Sequence, residues 1–131
     1  PQEREDRAVM VGKQDIRALK KYIIKYWVNH IEECIRKHSF DPLEIDYVIP
    51  HVSSMFFYGK LNEELQKRKI GLPENKWFTN LTSVGNIGSA SIFVALDELM
   101  CSGKLRKGNK ILLLVPESGR FSYGTVLLTV V

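Results

Sequence analysis

The segment that most limits the fold of this chain runs from Ser89 to Cys101 and reads SASIFVALDELMC. Its periodicity predicts a helix, and Gly103 stands where a helix stop is expected. Ile92, Phe93, Val94, Ala95, Leu96, Leu99 and Met100 occupy almost its whole circumference. A helix apolar on every side is expected to be buried on every side. One flank can lie on a sheet of the same domain; the other needs a partner surface.

The neighbouring segments supply that sheet. KILLLVPES and FSYGTVLLTVV are two apolar strands joined by a short glycine-containing turn, which predicts an antiparallel pair. YVIP is a short buried strand ended by Pro50, and KWFTNL reads as another short strand. Residues 13–38 form a long amphipathic helix whose stripe is Ile16, Leu19, Ile23, Trp27, Ile31 and Cys34. A further helix follows Ser53 or Ser54 as N-cap, with Phe57, Leu61 and Leu65 inward and Lys60, Glu63, Glu64, Lys67 and Arg68 outward. GLPEN breaks it. The order helix, strand, helix, strand, helix, strand, strand predicts an α/β domain with helices layered on a mixed sheet. A chain of 131 residues is read as a single domain spanning 1–131.

Charge narrows the class of partner. The net charge is +4, and the surplus gathers in KQDIRALKKYIIK, QKRK and GKLRKGNK. Such clusters suit solvated helix faces and loop tips, or an acidic partner: nucleic acid, a phosphopantetheine or nucleotide tail, or an acidic carrier protein. No RNA-binding aromatic motif, zinc finger or helix-turn-helix accompanies them, so no nucleic-acid partner is expected. No apolar run is long enough to span a membrane, and no secretion signal opens the chain. Cys34 and Cys101 form neither a metal spacing nor a disulfide framework, so a cytoplasmic location and no metal are expected. The opening PQERED lacks an initiator Met and reads as the start of a fragment.

Three features sit where strands end: His51, Asn86 in TSVGNIGSAS, and the turn in PESGRFSYG. Ligands of open α/β sheets bind at the carboxyl ends of strands. Each residue type has two readings. His51 suits a cap or solvated position as well as catalysis. Asn86 suits an Asx turn as well as chemistry, and the turn glycine suits backbone geometry as well as an exposed N–H.

From Ile45 to Val131 the sequence resembles the C-terminal half of β-ketoacyl–acyl carrier protein synthase III, a condensing enzyme of the thiolase-like superfamily. The resemblance rests on IDYVIPH, on GNIGSASIFVALDELMCSGKLRKGNKILLL and on SGRFSYGTVLL. It implies a thiolase-like half, with His51 and Asn86 at the positions of the family's catalytic His and Asn. In that family a Cys carries the acyl group, and a malonyl thioester loses CO2 to give an attacking enolate. An imidazole N–H and an amide N–H hold the enolate oxygen, each such donor being worth roughly 3 kcal/mol. An amide keeps its protons near neutrality, so Asn86 suits a pure donor role, and the two side chains are expected to converge on one carbonyl oxygen. Gly119 falls on the turn glycine whose backbone N–H binds the acyl oxyanion.

The resemblance also implies what lies elsewhere. The nucleophile belongs to an N-terminal half that this chain lacks, and this chain alone is expected to be inactive. Cys34 and Cys101 do not match it. Partners are an acyl carrier protein or acyl-CoA; coenzyme A or phosphopantetheine thioesters are substrates, and no cofactor is implied. HVSSMFF departs from the family's His-Gln-Ala-Asn-x-Arg: Ser54 stands for an Asn, and Phe56 for a basic residue that docks the carrier. Lys60, Lys67 and Arg68 are the candidates to replace that cation. The turn reads Ser118, Gly119, Arg120 in place of three glycines. These departures suit a diverged member acting in a secondary lipid pathway, such as aryl-polyene or resorcinol pigment lipids. The alternative is a non-catalytic module that binds acyl carrier or CoA and has kept the fold. The apolar Ser89–Cys101 helix predicts a homodimer, with that helix or the first one at the interface.

Overall fold

The computed structural model describes residues 15–131; Lys13, Gln14 and the PQERED opening lie outside the described residues. Helix α1 spans Ile16–His38. The Asp15 carboxylate caps it, accepting from the backbone N–H groups of Arg17 and Ala18 at 3.0 Å each. Arg36, Lys37 and His38 close it at the end where cations suit the helix dipole. Strand β1 is Tyr47–Pro50, helix α2 is Met55–Lys67 and the short turn α3 is Leu81–Val84. Helix α4 is Ser91–Cys101, and strands β2 and β3 are Lys110–Glu117 and Ser122–Thr129.

The three strands form one mixed sheet in the order β1-β2-β3. β1 runs parallel to β2, with Val48 opposite Leu112 and Ile49 opposite Leu113; β2 and β3 are antiparallel. Side chains alternate between the two faces of a strand. Val48, Leu112 and Leu114 therefore join α1 and α2 in one core, around Trp27, Val28, Ile31, Leu61 and Leu65. Ile49, Ile111 and Leu113 face the other way and pack on Ile92, Ala95 and Leu99 of α4. The result is an α/β domain with helices on both faces of a mixed sheet. Among the described residues no helix is long and apolar enough to cross a membrane.

Several details depart from the expected pattern. KWFTNL is not a strand: Trp77 makes a single parallel bridge to Val48, and Phe78 N–H donates to the Val48 carbonyl at 2.8 Å. The chain then turns away, because the Asn80 carbonyl accepts from the N–H groups of Ser83 and Val84 and starts α3. The buried stripe of α1 begins at Leu19, since Ile16 is 58% exposed. Ser54 holds the N-cap position of α2 with extended backbone, but its side chain makes no capping bond.

The expected all-round burial of α4 is also not what the described residues have. Ile92, Ala95 and Leu99 are buried against the sheet, whereas Phe93 and Met100 are 68% and 61% exposed. The physical reason is that the described chain offers a layer to one flank only. Gly103, at φ +70, ends the helix region as expected.

Leu112, fully buried between the layers, should cost about 3 kcal/mol of stability as Leu112→Ala, and Phe93→Ala less than about 1 kcal/mol. Urea denaturation of the full-length protein checks both. Equal losses would mean that the outer flank of α4 is covered.

Candidate active site

The carboxyl end of β1 runs straight into His51. Its backbone N–H continues the ladder, donating to the Leu114 carbonyl of β2 at 2.8 Å, so the backbone that carries the imidazole is anchored to the sheet. The Asn86 loop reaches the same edge by another route. It leaves α3 through Gly85 at φ +80 and enters a 3-10 turn at Gly88, φ +70, ahead of α4. These left-handed conformations are those that glycine adopts without strain, which explains the glycines on either side of Asn86.

The Asn86 side chain is oriented by its own loop. Its carbonyl Oδ1 accepts from Gly88 N–H at 3.0 Å and from the Ser91 hydroxyl at 3.4 Å. The Ser91 oxygen in turn accepts from Ile87 N–H at 2.9 Å. With the oxygen engaged, the NH2 end of the amide is the donor left for a ligand. Both readings of this residue thus hold together: Asn86 makes an Asx-type turn with one end of its amide and presents the other.

His51 and Asn86 line one cleft of about 420 Å3. Its apolar wall is Leu19, Ile23 and Trp27 of α1 with Phe57 of α2, and its rim includes Glu117 and Ser118. Cys34 and Cys101 do not line it. Cys101 is exposed at the far end of α4, and Cys34 is half-buried with its sulfur 3.4 Å from Nε2 of His30.

The turn between β2 and β3 differs from expectation at Gly119. Its N–H donates to Oε1 of Glu117 at 2.5 Å, and Arg120 N–H donates to the other carboxylate oxygen at 2.9 Å. A carboxylate within the turn thus satisfies the amide that was expected to bind an oxyanion. Gly119 is absent from the residues lining the cleft, and the left-handed residue of this turn is Phe121, at φ 53. A Cβ at Gly119 would come within 2.8 Å of the Glu117 oxygen.

The residues expected to meet a carrier are divided. Ser54 is half-buried and Phe56 is 51% exposed, packed edge-to-face on Phe57. Lys60 pairs with Glu63 at 2.6 Å, and Lys67 is exposed. Arg68 is committed elsewhere: it bonds Glu64 within α2 and Asn29 and Glu32 on α1, fastening the two helices. A cation does stand beside Phe56, but it comes from α1, with the Lys20 ammonium 5.6 Å from the ring centroid. In the sequence Lys20 is only one cation of the basic stretch KQDIRALKKYIIK, because nothing local links it to Phe56. Ser91 and Glu117 were missed for a different reason: each bonds groups only a few residues away, but the turn geometry that brings them together leaves no periodic signal.

Burial holds the His51 imidazole below the usual histidine range, and burial does the same for His30, opposed by Glu33. The unfolded chain then binds protons that the folded one refuses. Stability from this source is full above about pH 6.5 and declines as pH falls below it. An NMR titration should show the His51 midpoint below about 6.5, with the neutral ring, carrying one N–H, dominant at pH 7. A midpoint above that value would show that the ring is solvated or paired with an acid.

Known proteins resemble this chain in sequence and in fold. A family model described as "3-Oxoacyl-[acyl-carrier-protein (ACP)] synthase III C terminal" matches residues 35–130. Beta-ketoacyl-[acyl-carrier-protein] synthase III of Clostridium acetobutylicum is 30% identical over 112 residues, covering 86% of this chain and 33% of that protein. The crystal structure of 3-oxoacyl-[acyl-carrier-protein] synthase III from Aquifex aeolicus superposes with a TM-score of 0.69 at 30% identity, over 86% of this chain and 34% of that one. OleA from Xanthomonas campestris superposes with a TM-score of 0.75 at 25% identity, over 88% and 32%. The chain therefore spans about a third of the length of the curated relatives it matches. By sequence and by fold it belongs to the ketoacyl synthase III family, whose C-terminal domain it represents.

Proposed function

We propose that this chain is the C-terminal catalytic half of a synthase III-like enzyme that condenses an acyl thioester with a malonyl thioester. The observation that carries the reading is the shared cleft of His51 and Asn86 at one end of the sheet. In this scheme the malonyl group loses CO2, and the electrons of the broken C–C bond pass into an enolate. One N–H of neutral His51 and the NH2 of Asn86 hold the enolate oxygen. The enolate carbon then attacks an acyl group carried by a nucleophile from the part of the protein outside this chain, and the nucleophile leaves. The lowered basicity of His51 suits a donor that keeps one N–H and does not take up the proton of the reaction. No metal or cofactor enters this scheme, and the thioesters of coenzyme A or of an acyl carrier protein, in the cytoplasm, are its substrates.

One observation favours the second reading, a non-catalytic module that binds acyl carrier or CoA. Glu117 occupies the Gly119 amide, which removes the expected donor for the acyl oxyanion. The two readings part at Asn86. In the full-length protein, Asn86→Asp should slow malonyl-thioester decarboxylation about 100-fold or more, because a carboxylate repels the oxyanion that the amide stabilises. Near-normal turnover in that variant would remove Asn86 from the mechanism. Absence of turnover in the native full-length protein, with thioester binding retained, would establish the binding module.

The proposal includes a homodimer, supported by the exposed apolar flank of α4 at Phe93, Val94 and Met100. Sedimentation of the full-length protein at micromolar concentration should give a dimer. A monomer with no concentration dependence would overturn that part alone.

A further inference from the structure

The Asn86 loop is held more by hydrogen bonds than by packing. Asn86, Ile87, Gly88, Ser89 and Ala90 are all exposed. A Cβ built on Gly85 or Gly88 would meet nothing within 4 Å. A shallow open pocket of about 20 Å3 lies at the base of the loop, bounded by His51, Asn80, Gly85 and Ser91 among others.

Two tethers compensate, and both come from α4. Ser91 bonds Ile87 N–H and the Asn86 amide oxygen at the loop's far end. Glu98 reaches the near end, where its Oε2 accepts from Nδ2 of Asn80 at 2.8 Å. Ser91 and Glu98 are seven residues apart, so they share one face of the helix, about 10.5 Å from each other along its axis. Asn80 is the buried polar residue among the described ones, 8% exposed, and its backbone carbonyl starts α3 by accepting from Ser83 N–H, Val84 N–H and the Ser83 hydroxyl. Whatever fixes Asn80 therefore fixes the start of α3, the element that leads to Asn86.

We propose that Glu98, acting through Asn80, is a positioning residue that clamps the Asn86 loop to α4. It touches no reacting atom. Its effect on rate rests on the reading of Asn86 given above, whereas the clamp itself rests on geometry, and the test separates the two.

The experiment uses the full-length protein, with amide hydrogen exchange at Ile87 and Gly88 read beside malonyl-thioester decarboxylation. Glu98→Ala should speed exchange at both amides about fivefold or more and lower kcat about tenfold, with KM within about twofold. Glu98→Gln keeps an acceptor oxygen and should stay within about threefold of the native protein on both readouts. Asn80→Asp sets two carboxylates against each other and should match or exceed the Glu98→Ala defect. Combining it with Glu98→Gln reverses donor and acceptor and should recover most of the loss. That reciprocal pair also decides the matter if Glu98→Ala fails to fold. Unchanged exchange in Glu98→Ala, or no recovery in the pair, overturns the clamp. Faster exchange with unchanged decarboxylation upholds the clamp and overturns the catalytic reading of Asn86.

Discussion

Everything in this domain leans on the burial of β2 from both sides. Ile111 to Leu114 are all buried, two facing α1 and α2 and two facing α4. A strand in that position has no solvated face, so its sequence is a continuous apolar run, the pattern of a strand covered by helices on both faces. Its neighbours are then placed by it. β1 registers on it in parallel, which brings His51 to the carboxyl end of the sheet. β3 returns alongside it, and the Tyr123 hydroxyl donates to the Ile23 carbonyl of α1 at 3.1 Å. That hydroxyl is buried enough for its pKa to be pushed up to about 12, so it remains a donor at physiological pH.

The candidate site uses rigid and soft parts differently. His51 extends a strand, so its backbone is as fixed as the sheet. Asn86 sits between two glycines in an exposed loop, fixed by a few directional bonds. A cleft with one stiff donor and one tethered donor can be tuned from the tether without disturbing the fold. The turn carrying Gly119 shows a third arrangement, in which a carboxylate from its own strand fills the amide donors.

Much of this was legible in the sequence. The span of β1, the antiparallel pair after Gly103 and the site at the strand ends follow from periodicity, from glycine placement and from the order of elements. His51 lies where β1 ends, as read, whereas Asn86 reaches the same cleft from α3 and not from a strand end. What could not be read depends on distance in the sequence. Arg68 was read as an exposed helix cation, yet Asn29 and Glu32 engage it from another helix. KWFTNL has a strand's composition, but it has one bridge to β1 and a carbonyl that draws the chain into α3. The apolar circumference of α4 was legible, but its burial was not: Phe93 and Met100 are largely exposed among the described residues.

The parallel pairing of β1 and β2 has a kinetic consequence. Antiparallel β2 and β3 are joined by a short turn and can pair early as a local hairpin. β1 meets β2 only after a long excursion, as the bond from Lys110 N–H to the Asp46 carboxylate, 64 residues away in sequence, illustrates. Closing that span costs more chain entropy than closing the hairpin. The excursion contains His51, α2, the Asn86 loop and α4, so the two donors are brought together by a non-local closure and not by the hairpin. A chain that stalls with its hairpin formed would thus carry every residue of the site without having the site.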